Sequence, residues 1–206
     1  ESNRLHFSGE RYRRKGSDFW AGPLSLRADT VTIDSSDVFR YHRVWHLKAP
    51  VLSRHLAQYQ WPGYQMPEEI ATWPAHGDTL KGENRYLAPF VDVDGDGIYK
   101  PLQGDYPLMR GDEAIWFVLN DSRTLSRESA NSLPLGVEVQ CMVYLFHSDT
   151  DSALANSLFF RYTLFNRSLT NYHQVYLGLF ADFDIGQSTD DFVKCDVTRG
   201  SMIGYN

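Results

Sequence analysis

From residue 114 onward the chain alternates between apolar and polar positions. Residues 114–119 form a compact apolar run ended by Asn120 and Asp121, residues 135–147 alternate over a longer span, and residues 157–167 repeat the pattern. Residues 174–184 read as a fourth run of the same kind, and short polar turns such as residues 168–172 separate the runs. The compact run predicts a buried strand, and a period of two, which sends successive side chains to opposite faces, predicts strands from the others. Several such strands joined by turns predict an antiparallel β-sandwich over residues 111–206.

The first half has a different texture. Residues 16–24 (GSDFWAGPL) carry the Gly and Pro of a loop, yet Phe19 and Trp20 are costly to expose, which predicts an ordered loop packed onto the body. Residues 37–47 fit strand or helix equally well. Residues 50–59 have helical spacing, with Leu52, Leu56 and Tyr59 on one side. Residues 67–73 predict a short helix with Pro67 in its first turn and Glu68 and Glu69 against the dipole. The expectation is therefore a mainly β protein: one domain over residues 1–206, with an irregular, partly helical segment at 1–110 and sandwich strands at 111–206. The final stretch, residues 203–206, reads as an interrupted strand, and the whole reads as a fragment of a longer protein.

Composition narrows the function classes. Hydrophobic residues are 42% of the chain, enough for a real core, and 12 Tyr with 12 Phe favour strands. A net charge of −6 argues against a nucleic-acid backbone as the partner, and the basic run at residues 11–15 is too short to reverse that. No apolar stretch approaches the roughly 18 residues of a membrane span. Cys141 and Cys195 make no disulfide framework, although one bridge is open to them; Cys141, inside an alternating apolar run, is expected to be a buried thiol.

Residues 92–105, DVDGDGIYKPLQGD, carry the most chemistry. Asp92, Asp94 and Asp96 alternate with small or apolar residues, and Gly97 stands where a calcium loop turns sharply. Carboxylates crowded this closely repel one another, and a hard, oxygen-seeking cation relieves the repulsion. Calcium takes six to eight oxygen ligands, and its usual loop opens D-x-D-x-D-G. The second half departs from the EF-hand, since Gln103 stands where a bidentate Glu belongs, and Pro101, Gly104 and Pro107 deny the loop an exiting helix. The expectation is an EF-like calcium loop with the Asp92, Asp94 and Asp96 carboxylates, the Ile98 carbonyl and Asp105 as ligands. The alternative is a solvated acidic turn.

A second acidic cluster, Asp182, Asp184, Asp190 and Asp191, lies at the end of the fourth run. On a strand, Asp182 and Asp184 would stand about 7 Å apart on one face. Three readings stay open: a second cation site, an acid/base pair of the kind glycosidases use at about 5–9.5 Å, and a solvated strand end. Nucleophilic catalysis has no support, because neither a G-x-S-x-G elbow nor an H-E-x-x-H pair occurs. His42 and His46 have i,i+4 spacing but no third ligand beside them. No catalytic residue is assigned, and an enzyme is the less favoured class.

The order of motifs carries a resemblance. GSDFWAGPL at 16–24, WPAHG at 73–77, APFVDVDGDGIY at 88–99, GDYP at 104–107, GDEAIWFVLND at 111–121, PLGVE at 134–138 and DDFVKCD at 190–196 follow in sequence. Together they resemble a conserved region of large exported proteins of Bacteroidetes bacteria that end in a type IX secretion sorting domain. That resemblance implies a secreted or cell-surface module of a longer parent, with no known activity attached. The expected function is then a calcium-stabilised, non-enzymatic module serving in structure, adhesion or assembly. Its partners would be the calcium ion and other domains of the parent, with no nucleic acid. The alternative is a carbohydrate-binding or glycan-hydrolysing module using Asp182 and Asp184 with aromatic platforms at Trp20, Trp61 and Trp73; surface glycans would be its partner.

Overall fold

The computed structural model describes residues 5–9, 18–27, 30–32, 39–122, 132–179, 181, 184–187 and 189–206. The strands are β1 (Trp20–Ala21), β2 (Ser25–Arg27), β3 (Thr30–Thr32), β4 (Trp45–Lys48), β5 (Phe90–Val91), β6 (Tyr106–Pro107), β7 (Glu113–Asn120), β8 (Val137–Leu145), β9 (Phe159–Asn166), β10 (Phe192–Asp196) and β11 (Ser201–Tyr205). The helices are short: α1 (Ala49–Gln58), α2 (Glu68–Ala71) and α3 (Ser152–Ala155). The fold is mainly β, with several antiparallel sheets. No helix among the described residues is long and apolar enough to cross a membrane. By contacts the chain divides into two units, Glu1–Leu169 and Thr170–Asn206.

The first unit is organised by β7, β8 and β9, which answer to the compact apolar run at 114–119 and the alternating runs at 135–147 and 157–167. β8 pairs with β7 from Glu113↔Leu145 to Asn120↔Glu138, and with β9 from Val137↔Asn166 to Tyr144↔Phe159. The other edge of β7 is shared: β4 takes its first half (Trp45↔Trp116) and β1 its last two residues. Period two then sorts the side chains. Ala114, Trp116, Val118 and Met142 are buried on one face, together with Trp45 and Leu47 of β4. What covers that face is the aromatic-rich segment rather than a second sheet: Tyr41, Ile70, Trp73, Ala75, Leu87 and Ala88 complete the same core. Trp116 packs against both Trp45 and Trp73, with ring centroids 5.7 and 5.9 Å apart. Each covering indole N–H is satisfied by a carbonyl, Trp45 by Thr72 at 2.8 Å and Trp73 by Pro89 at 3.0 Å. Such pairing lets a large polar-tipped ring sit fully inside. The segment before residue 110 and the strands after it therefore share one core.

Two expectations are corrected. The helix over 49–58 forms, with Pro50 in its first turn, but Leu56 is 39% exposed and the fully buried residue is His55. The inward stripe runs through Leu52, His55 and Tyr59, and Tyr64 meets the His55 ring nitrogen Nδ1 at 3.0 Å. A hydrogen-bonding tyrosine lets an imidazole go where a leucine was expected, and burial lowers the His55 pKa. The second correction concerns residues 174–184, which form no strand in their described part; Tyr176, Leu177 and Leu179 are exposed. Alternation makes an amphipathic extended segment, but a strand also needs a ladder partner, and none pairs with it among the described residues. The second unit instead contains the β10–β11 hairpin, in register from Phe192↔Tyr205 to Asp196↔Ser201.

Both cysteines are free. Cys141 is buried as expected, and burial pushes its thiol up to about 11. Cys195 is exposed on β10.

Candidate metal centre

The acidic loop is tied at both ends before its carboxylates matter. β5 and β6 pair as Phe90↔Pro107 and Val91↔Tyr106, which closes residues 92–105 into a hairpin-like excursion. Phe90 and Tyr99 meet edge-on at 5.5 Å and pack on the core. The Tyr99 hydroxyl donates to the Ile70 carbonyl at 2.8 Å, and burial, helped by the Asp105 charge, raises its pKa well above the ordinary tyrosine value. The Tyr99 backbone N–H donates to His76 Nε2 at 2.9 Å, while His76 Nδ1 lies 2.9 Å from the Arg85 carbonyl. That pair of partners requires a neutral imidazole with its proton on Nδ1.

Within the loop, backbone N–H groups aim the acids. Asp92 accepts from Gly95 at 2.8 Å and from Gly97 at 2.6 Å. Asp94 accepts from Asp96 N–H at 3.2 Å, and Asp96 from Ile98 N–H at 2.8 Å. Gly95 and Gly97 make this possible by taking φ of 74° and 75°, a left-handed conformation that costs a residue with a Cβ about 1–2 kcal/mol. The result brings one carboxylate oxygen each from Asp92, Asp94 and Asp96 within 4.8 Å of one another. Oxygens sharing one calcium at about 2.3–2.6 Å lie at most about 5 Å apart. The donor set is all hard oxygen, so these residues fit such an ion.

Positive charge reaches the same carboxylates from the chain itself. The Lys100 ammonium lies against the Asp96 carboxylate and 3.7 Å from Asp94 Oδ2. The Asp92 carboxyl is held below the usual range, first by the Gly97 N–H and then by Gly95, with Lys100 adding a smaller effect. Asp105 behaves differently from the other three. It is buried, and its oxygens accept from Val93 N–H at 2.9 Å and Lys100 N–H at 2.7 Å. It acts as a latch across the two ends of the loop. Ile98 is exposed, with its N–H given to Asp96.

No family model, curated protein or solved structure matches this chain. The site must be read from its own chemistry.

Among the described residues, Asp92, Asp94 and Asp96 are the one group of three ligating side chains that converges. Asp184 and Asp190 are exposed, and Asp191 accepts the Ile185 N–H at 3.0 Å instead of turning towards them. Asp182 and the basic run at 11–15 lie outside the described residues. Of the proposed aromatic platforms, Trp73 is buried in the core, Trp20 is partly buried on β1 and Trp61 is exposed. His46 sits on β4, where i,i+4 spacing has no meaning, and pairs with Glu113 at 2.5 Å. Two supports of the loop went unseen in the sequence, His76 and Lys100. Lys100 had a local signal, since it follows Asp96 by four residues; His76 is 23 residues from Tyr99 and had none.

Proposed function

We propose that this chain is a calcium-stabilised, non-enzymatic module of a secreted or cell-surface bacterial protein, with a structural, adhesive or assembly role. The observation that carries the reading is the convergence of Asp92, Asp94 and Asp96 within 4.8 Å on a loop whose ends are pinned to the core. A cation there would relieve their repulsion and lock the aromatic-rich segment on the sheet through Phe90 and Tyr99. Asp92, Asp94 and Asp96 would hold it, with the Ile98 carbonyl and Asp105 as further oxygen donors; Lys100 is the charge it would displace. The motif order resembles that of exported Bacteroidetes proteins, a likeness that would give an extracellular setting, where calcium modules work with dissociation constants of about 10⁻⁴–10⁻³ M. A sandwich remains part of the proposal. The sheet's other face carries Cys141 and Val143, and on β9 the half-exposed Phe160, Tyr162 and Leu164, as one inner face of a sandwich would. The glycan reading loses a platform with the burial of Trp73.

The test is a melting curve with calcium and with chelator, on wild type and Asp94→Ala. A site of about 10 µM affinity in about 1 mM calcium adds about 2.7 kcal/mol. For a chain of this size that raises Tm by roughly 5–10 °C. The variant should show no such difference. Wild-type curves that coincide in the two buffers would remove the case for a structural ion.

A further inference from the structure

The sheet face that carries the core runs out of cover towards β9. There, between β8–β9 and the loops at 87–89 and 108–110, lies a cleft of about 160 Å³. Trp116 and Met142 form its apolar floor, and Arg110, Gln140, Arg161 and Thr163 line its sides. The placement follows from register. Arg161 stands opposite Met142 and Thr163 opposite Gln140, so alternate positions of β9 present a guanidinium and a hydroxyl on the Trp116 side. Both arginines are exposed, and among the described residues neither guanidinium has a hydrogen bond or an ion pair.

Among the described residues, no carboxylate lines the cleft. The acid on the same face, Glu138, is turned inward: it accepts from Leu24 N–H at 3.0 Å, from the Asn84 amide at 2.9 Å and from the Gln140 amide at 3.0 Å. The last of these also fixes the Gln140 side chain at the edge of the cleft. The chain has a net charge of −6, yet among the described residues no acid pairs with either guanidinium at this concavity. Such an arrangement focuses positive potential where a ligand would sit. Guanidinium forks match planar carboxylates in two-point contacts, which a point-charge ammonium cannot do. The cleft is several times larger than the space one water needs, so it admits a small organic anion.

We propose that this cleft binds a carboxylate whose bound part, free or at a chain end, is a single sugar acid or smaller. Arg110 and Arg161 clasp the carboxylate, Thr163 donates its hydroxyl, and the carbon skeleton rests on the Trp116–Met142 floor. The site is separate from the acidic loop and does not rest on the calcium reading.

The experiment uses the 206-residue chain, amide NMR and titration with D-glucuronate, with methyl glucoside as the uncharged control. Saturable shifts are expected at the Gln140 and Thr163 amides and the Trp116 indole for glucuronate and not for the glucoside. Arg110→Ala/Arg161→Ala should weaken binding by roughly tenfold or more, the loss expected for charge-assisted bonds. Arg161→Lys, which keeps the charge and loses the fork, should fall between; Asp94→Ala should bind like wild type. A glucuronate-terminated disaccharide that binds equally well assigns the ligand to a chain end, and one excluded by size assigns it to the free acid. Absence of shifts with millimolar glucuronate, or shifts the double variant retains, would overturn the proposal.

Discussion

Two stretches of this protein are rich in aspartate, residues 92–105 and 182–191, and their described acids are arranged differently. In the first, Gly95 and Gly97 turn the backbone so that N–H groups hold three carboxylates together, while Asp105 bridges Val93 and Lys100. In the second, Asp184 and Asp190 stay exposed and Asp191 accepts the Ile185 N–H. Acids close together in sequence thus converge in the first stretch, while the described acids of the second do not. The difference lies in anchorage: the first loop is closed by a strand pair and tied to a core by Phe90 and Tyr99, and among the described residues the second stretch has no such closure. Convergence of like charges has to be held by the surrounding structure.

The largest expected effect breaks the first loop at its latch. Asp105→Ala removes two charge-assisted bonds and leaves two N–H groups without an acceptor, a loss of about 3 kcal/mol. Urea denaturation in chelator should show that loss without calcium being involved. An unchanged midpoint would mean the latch carries no stability. Next comes Gly97→Ala, where a φ of 75° and a Cβ only 3.0 Å from the Tyr86 hydroxyl predict a cost of about 1–2 kcal/mol. The same denaturation curves measure it, and a neutral outcome would show that the turn relaxes.

Acid should act on the first loop in a defined direction. The Asp92 carboxyl is held below its ordinary value of 3.8, so its contribution is complete above that value. It is lost as pH falls through the lower, folded-state value. An NMR titration in chelator, following the Gly97 amide, should give a midpoint below 3.8. A midpoint at or above that figure would contradict the hydrogen-bonded geometry. The smallest effect belongs to the second stretch. Asp190→Asn should change stability by less than about 0.5 kcal/mol, with or without calcium, as surface substitutions usually do. A calcium-dependent change in that variant would erase the contrast between the two regions.

Much of this was legible along the chain. β7 follows from its compact apolar run and β8 and β9 from alternation, the buried Cys141 follows from its place in such a run, and the helix follows from the spacing over 50–59. The density of acids at 92–96 followed by Gly97 marked the candidate site. Helix spacing could not tell Leu56 from His55 as the inward residue, because the choice depended on Tyr64 standing ready to bond an imidazole. Nor could alternation at 174–184 supply the ladder partner a strand requires.

Sequence alone determined the local terms: which segments prefer extended or helical backbone, where glycine permits a left-handed turn, and where negative charge accumulates. Tertiary structure decided which alternating segments became strands, which helix face was buried and which acids converged. The reason is the same in each case. Those outcomes depend on hydrogen-bond and packing partners far away in the chain, as between His76 and Tyr99 or Leu24 and Glu138, and such partners exist only once the fold has brought them together.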